Sequence, residues 1–428
     1  MIQTLDALRR GDLAGVRELR LREGLREFPR EILDLADTLE VLDLSGVGLS
    51  SLPDDFARLK KLRVLFASNN PFDRLPPVLG DCPALSQVGF RGCGLSEVPA
   101  EALPANLRWL TLTDNAIETL PDALGERPAL QKLMLSGNRL SIVPESLAGH
   151  ANLELLRLAA NRLETLPVWL ADMPSLAWLA WAGNPFDHGQ PAAAPPIAWS
   201  ALSVDRLLGQ GASGEVHQAR WTQGAAARPV ALKLFKGAMT SDGLPEREMA
   251  ACLAAGEHPN LTGALGRLDG HPDGGQGLLM PLLPSEWRVL ASPPSLESCS
   301  RDVYDPALRL DLDVALSIAR DVATGAAHLH AKGLSHGDLY AHNTLWDGAT
   351  GRAVLSDLGG ASFLPGGPGD PLARLDVLAF GRLLGEVLER VRGDLPSTLR
   401  DLQRACESPT PLDRPDLGDA AAALSAMG

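Results

Sequence analysis

"LQKLMLSGNRLSIVPESLAGHAN", residues 130–152, has apolar residues at its first, fourth and sixth places and Asn at its ninth. The same phrase opens at Leu39, Leu62, Leu85, Leu107, Leu130, Leu153 and Leu176, in equal steps except that the one from Leu85 to Leu107 is shorter by a single position. Asn70, Asn115, Asn138, Asn161 and Asn184 hold the ninth place, and Pro follows an apolar residue late in most units, as in "RLP", "EVP", "TLP" and "IVP". A degenerate copy, "VRELRLREGLREFP", begins at Val16, one full step ahead of Leu39.

A period of 20 to 29 in this pattern is the signature of leucine-rich repeats. Each unit supplies a short strand with inward Leu side chains, and its Asn can hydrogen-bond backbone left unpaired where the chain turns away. The register predicts about eight repeats over 16–186, a helical cap at 1–15, and a Pro/Ala connector at 187–198 that acts as a semi-rigid spacer. Strand side chains alternate faces, so Val64, Phe66, Trp109, Met134, Leu155 and Trp178 are expected on the concave face as an exposed apolar stripe. Such a stripe predicts a protein contact: a foreign substrate or regulator, the other half of this chain, or a second copy in a homodimer.

The chain of 428 residues carries a formal net charge of −14, which argues against a general nucleic-acid or anionic-membrane binder. Its five cysteines are scattered without the close spacing of a zinc or redox pair, so unpaired thiols in a reducing compartment are expected. The start, "MIQTLDALRRGDLAGV", mixes charge with apolar residues and lacks the apolar core of a signal peptide. No segment offers the run of about 18 uncharged apolar residues that a membrane span needs. These features together predict a cytoplasmic protein.

Residues 199–428 carry an ordered set of motifs. "LLGQGASGEV" places Gly209, Gly211 and Gly214 ahead of Val216, a spacing that lets backbone amides approach phosphates. "PVALKLF" follows, with Ala231 and then Lys233 inside an apolar strand, where a lysine is costly without an anionic partner. The next helix, "LPEREMAACLAAGEHPNL", offers Glu248 as the first choice of partner and Glu246 as the second. "SHGDLYAHNTL", residues 335–345, then sets Asp338 five ahead of Asn343, and "LSDLGG" brings Asp357 nineteen after Asp338. Phosphoryl transfer needs this set: one carboxylate to orient an attacking hydroxyl, and an amide with a second carboxylate to hold Mg²⁺.

On these motifs residues 199–428 resemble the protein-kinase fold, and the whole chain resembles a bacterial-type leucine-rich-repeat protein kinase. The resemblance extends to "RLDVLAFGRLLGEVL", which is similar to the central helix of the kinase C-lobe with Asp376 bracing the catalytic loop, and to "CESPTPLDRPDL" with Arg414 and Pro415. It implies an α/β multidomain protein, a repeat solenoid followed by a bilobal kinase-like domain, using ATP and Mg²⁺. Lys233 would hold the ATP phosphates, Met280 would guard the back of the nucleotide pocket, Leu283 would meet adenine through its backbone, and Val216, Ala231 and Leu345 would complete the pocket. The implied reaction is transfer of the γ-phosphate to protein hydroxyls, Ser/Thr favoured, with Tyr or dual specificity open. Two other readings share the motifs: a small-molecule kinase of the aminoglycoside-phosphotransferase type, and an ATP-binding scaffold without transfer.

The departures from the family pattern are specific. Gly337 stands where many protein kinases have the Arg that grips a phosphorylated loop, and Tyr340 where Ser/Thr kinases have Lys. Ala341 and His342 follow, and His342, with an ordinary pKa near 6.5, is expected to be mostly neutral at pH 7. Only 19 positions separate Asp357 from Asp376, and no A-P-E occurs, so the peptide-docking platform is cut short and Arg414 lacks its usual Glu. Substrate recognition is therefore expected to fall to the repeats.

Overall fold

The computed structural model describes residues 3–187, 196–211, 213–236, 239, 240 and 242–427. Most of the connector expected at 187–198 lies outside the described residues, as do the first two residues of the expected cap. The chain divides into two compact units, Met1–Trp169 and Leu170–Gly428. The division falls ahead of the strand of the last repeat, which is thus part of the second unit.

The first unit opens with helix α1 (Leu5–Arg9), capped by the Thr4 hydroxyl, which accepts the Ala7 N–H. Seven three-residue strands follow: β1 (Glu18–Arg20), β2 (Val41–Asp43), β3 (Val64–Phe66), β4 (Gln87–Gly89), β5 (Trp109–Thr111), β6 (Lys132–Met134) and β7 (Leu155–Arg157). They pair in parallel, each residue opposite its equivalent in the next repeat. The inward Leu42, Leu65, Leu110, Leu133 and Leu156 are fully buried. Each ninth-position Asn completes the backbone pairing that the turns leave open. The Asn138 Oδ1 accepts the Ile117 N–H at 3.1 Å, while its Nδ2 donates to the Leu112 and Leu135 carbonyls at 2.9 Å each. Pro29, Pro99, Pro121 and Pro144 each begin a short 3₁₀ turn, where no backbone donor is required.

The expected open apolar stripe is not found. Val64 and Leu155 are 2% and 3% exposed, and Phe66, Trp109 and Met134 are half-buried. Neighbouring strands are about 4.8 Å apart, so large side chains pack sideways along the sheet. Phe66 meets Trp109 edge-on at 6.3 Å between centroids, and the Lys132 ammonium sits 4.2 Å over the Trp109 ring.

The second unit begins with the last repeat's strand β8 (Trp178–Ala180) and its Asn184, whose Nδ2 donates to the Trp181 carbonyl at 2.7 Å. Five further strands and a short one build a sheet in the order β10-β11-β12-β14-β13-β9: β9 (Pro196–Ala198), β10 (Leu202–Gln210), β11 (Gly214–Gln223), β12 (Ala226–Phe235), β13 (Gly266–Asp269) and β14 (Gly277–Pro281). Ile197, Ala219, Val230, Leu232, Leu268 and Leu279 form its core, with Trp199, Leu202, Trp221, Leu234 and Leu265 packed against it, and helix α2 (Pro245–Ala255) lies beside β13. A helical half follows, with α3 (Leu312–Ala331), α4 (Ala373–Leu388), α5 (Ser397–Cys406) and α6 (Leu417–Met427). Small strands lie between: β15 (Arg288–Val289), β16 (Leu334–Ser335), β17 (Thr344–Trp346), β18 (Ala353–Leu355) and β19 (Ser362–Phe363). β15, β17 and β18 pair with one another, and β16 pairs with β19. Cys82, Cys93, Cys252, Cys299 and Cys406 are all buried thiols. Among the described residues no helix is long and apolar enough to cross a membrane.

Candidate active site

The antiparallel ribbon β10-β11-β12 places the glycine-rich turn over the following strand. Gly214 is required by close approach, because a Cβ there would lie 2.1 Å from the Leu234 carbonyl oxygen. A Cβ at Gly209 or Gly211 would meet nothing within 4 Å, so both leave bare backbone facing open space. The register sets Val216 opposite Lys233 and Ala231 opposite Met280. Leu283 follows β14 and is half-buried, and Leu345 is half-buried in β17 opposite Val289.

Lys233 is 9% exposed and ion-paired with Glu248 of α2, which is 4% exposed, whereas Glu246 is exposed on another face of the helix. Burial alone would lower the Lys233 pKa, but Glu248 and Asp357 together raise it above the ordinary lysine value. Asp357 belongs to the same electrostatic cluster. It adopts a left-handed backbone (φ 58°, ψ 84°), and its Oδ1 accepts the Gly359 N–H at 3.1 Å. A non-glycine residue held in this region carries strain that the surroundings must impose, and such strain concentrates at functional sites.

The loop after β16 brings the remaining residues to this point. The Asn343 Nδ2 donates to the Asp338 Oδ2 at 2.8 Å and to its carbonyl at 2.9 Å. A Cβ on Gly360 would stand 3.0 Å from the Asp338 Cβ, and one on Gly359 would stand 3.7 Å from the Glu248 carboxylate. Two glycines therefore let Lys233, Glu248, Asp357, Asp338 and Asn343 converge from four separate segments. Asn343, 5% exposed, and Asp357 are the oxygen donors that this arrangement could offer a cation. Among the described residues no group of three or more His, Cys, Asp or Glu forms a metal cage of its own. That donor set suits Mg²⁺, which is bound by one or two carboxylates plus substrate phosphates and keeps several waters.

Beneath the loop, Asp376 at the start of α4 is 1% exposed. Its carboxylate accepts the N–H groups of His336 and Gly337, the Ser335 hydroxyl, and the ring of His330. His342 is held by Asp302, which accepts its backbone N–H at 2.9 Å and pairs with its Nδ1 at 2.7 Å. Burial would lower the His342 pKa, but Asp302 and the nearby Asp338 carry it above the ordinary histidine value. The expectation of a mostly neutral His342 took no account of Asp302. That residue lies 40 positions ahead of His342, and nothing in the spacing of the sequence links it to the loop.

Two residues of the last repeat, and Pro174 just ahead of it, also reach this region; of these the sequence leads one to expect a contact only from Trp178, as part of the apolar column. Trp178 stacks flat on Tyr340, with centroids 4.1 Å apart and planes 7° apart. The Trp181 indole donates to the Phe363 carbonyl at 3.1 Å. The Pro174 carbonyl accepts from the buried Arg414, whose other bonds go to the Ser408 and Arg374 carbonyls. Arg414 thus has three backbone acceptors where the family pattern has a Glu.

A family model described as protein tyrosine and serine/threonine kinase matches residues 202–364, and one for the leucine-rich repeat matches 129–150. The chain joins leucine-rich repeats to a protein-kinase domain. The chain is similar to kinase suppressor of Ras 2 of Homo sapiens, 26% identical over 171 residues, covering 38% of this chain and 15% of that one. A probable serine/threonine-protein kinase of Dictyostelium discoideum is 28% identical over 160 residues, 35% of this chain and 11% of that protein. Leucine-rich repeat serine/threonine-protein kinase 1 of Mus musculus is 41% identical over 76 residues, 18% of this chain and 4% of that protein. The matched stretches span 15% or less of these relatives' own lengths.

Proposed function

We propose that the chain is an ATP- and Mg²⁺-dependent protein kinase that transfers the γ-phosphate to protein hydroxyls, with serine and threonine favoured. The observation that carries this reading is the convergence of the Lys233–Glu248 ion pair and Asp357 with the Asp338–Asn343 pair at one point. Lys233, fixed by Glu248, would hold the ATP phosphates beneath the bare backbone of Gly209 and Gly211, with Gly214 packed close on the Leu234 carbonyl. Val216, Ala231, Met280, Leu283 and Leu345 would enclose the adenine. Asn343 and Asp357 would hold Mg²⁺, which supplies neutralisation of charge on the transferred group. Asp338 would orient the acceptor hydroxyl and receive its proton. The names of two relatives support Ser/Thr as the acceptor class. The repeats are read as a protein-interaction module that recruits substrate or regulator through the face bearing the half-buried Phe66, Trp109 and Met134.

A second reading, an ATP-binding scaffold, is favoured by one observation: Tyr340, in the place of a catalytic lysine, lies buried under Trp178. Full-length protein incubated with labelled ATP and Mg²⁺ decides, with Asp338→Asn as control. Label on the chain or on an added protein, lost in the variant and retained by phosphoserine or phosphothreonine, supports the proposal. Nucleotide binding without transfer supports the scaffold, and label only on small hydroxylated acceptors supports a small-molecule kinase.

A further inference from the structure

The last repeat grips both flanks of Asp338. On one side the Trp178 indole donates to the Leu339 carbonyl at 3.0 Å, and its ring covers Tyr340. On the other side the Trp181 N–H donates to the Ser362 hydroxyl at 3.0 Å and its indole to the Phe363 carbonyl, fixing β19, which pairs with β16 just ahead of the loop. Between these, the Leu179 carbonyl oxygen would stand 2.6 Å from a Cβ at Gly337, and the Gly360 carbonyl oxygen 2.4 Å from it. The Trp178 ring also carries the Arg382 and Arg301 guanidinium groups, 4.9 and 5.4 Å from its centroid, and Arg382 also donates to the Ser175 carbonyl at 3.0 Å.

These contacts coincide with the family departures. A side chain at Gly337 would meet the Gly360 carbonyl as well as the Leu179 carbonyl, at a backbone φ of 67°. Tyr340, in the place of Lys, is the stacking partner of Trp178. Arg414, without its usual Glu, has Pro174 as one of its acceptors. The short segment from Asp357 to Asp376 leaves room for a docked strand rather than for a platform of its own.

We propose that Trp178 is a positioning residue for the catalytic loop, and that the last repeat is an integral part of the catalytic unit, standing where the shortened segment leaves the acceptor platform absent. The proposal rests on the protein-kinase reading for its catalytic half. The unit able to transfer phosphate then begins no later than Pro174, and cutting at the connector 187–198 removes part of the active-site wall. Trp178 acts through Leu339 and Tyr340, the two residues after Asp338, so its loss displaces the carboxylate without touching the nucleotide residues. A displacement of about 1 Å at a catalytic group can cost roughly 100-fold in rate.

The test uses full-length Trp178→Ala and Trp178→Phe, with hydrogen exchange and steady-state kinetics. In Trp178→Ala, amides of residues 335–345 should exchange about tenfold faster or more while those of β12 do not change. kcat should fall roughly 10- to 100-fold with the KM for ATP within about twofold, and Trp178→Phe, which keeps a stacking ring, should recover most of both effects. Unchanged exchange in 335–345 overturns the proposal, as does a loosened loop with unchanged kcat. A wild type that transfers nothing overturns the kinase reading and the catalytic half with it, and the exchange of the loop still decides whether the last repeat holds it.

Discussion

Asp376→Asn changes one atom of a buried carboxylate and should cost the second unit about 3 kcal/mol. In the wild type Oδ2 accepts from the His336 N–H at 2.7 Å and from the Ser335 hydroxyl and the His330 ring at 3.0 Å each, and Oδ1 accepts from the Gly337 N–H at 3.0 Å. The best placement of the asparagine puts its oxygen at Oδ2 and keeps three bonds. Its NH₂ then faces the Gly337 N–H, donor against donor. A buried donor left without an acceptor costs about 1–3 kcal/mol, and loss of charge assistance weakens the bonds that remain. Asp376→Ala strips the acceptor from all four donors and should cost roughly 5 kcal/mol, in the range for breaking a buried charged network. Urea unfolding read through exchange of α4 amides isolates the second unit, with stability taken from the midpoint at constant slope. Burial pushes the Asp376 pKa up, but the His330 ring, together with the His336 N–H, holds it below the ordinary 3.8. A depressed carboxylate contributes its stability above the unfolded value and loses it as pH falls through the folded value. The gap between wild type and Asp376→Asn should therefore persist at neutral pH and narrow only below 3.8. A loss under about 1 kcal/mol at pH 7 would refute the reasoning.

Asn138→Ala removes three hydrogen bonds to buried backbone and should lower the stability of the first unit by about 2–4 kcal/mol in calorimetry; a change below about 1 would show the ladder to be ornamental. Gly337→Ala forces a Cβ into the Leu179 and Gly360 carbonyls at a φ of 67°, and the expected result is loss of phosphoryl transfer with a stability cost of about 3 kcal/mol or more; wild-type behaviour in both would contradict the packing. Glu386, which accepts from the Tyr304 hydroxyl at 3.2 Å, is pushed up to about 7 by burial and by Asp302. A raised carboxylate keeps its contribution below its unfolded value of 4.5 and loses it as pH rises through about 7. Glu386→Gln should therefore gain about 3 kcal/mol over wild type at pH 8 and almost nothing at pH 4.5, and equal curves at both pH values would rule this out.

Local pattern carried the repeats and the order of the kinase motifs. The constant step from Leu to Leu specifies strand, turn and Asn ladder because each repeat contacts its neighbours in the same way, so periodicity in the chain is periodicity in space. The Lys233–Glu248 pair was legible for a similar reason: a buried lysine in a strand demands an anion, and the next helix offers few. The apolar column on the concave face was misjudged because alternation tells which face a side chain occupies and not what packs beside it.

The repeat register, the ordered set from Gly209 to Asp357, and the positions where that set departs from its family can all be read from the chain alone. The reasons for those departures belong to tertiary structure. Trp178 reaches Leu339 across 161 positions, Pro174 reaches Arg414 across 240, and Asp302 reaches His342 across 40. No periodicity or motif links residues at such separations. Only the fold brings residues 174–181 against this region, where Leu179 faces Gly337, Trp178 stacks on Tyr340 and Pro174 accepts from Arg414.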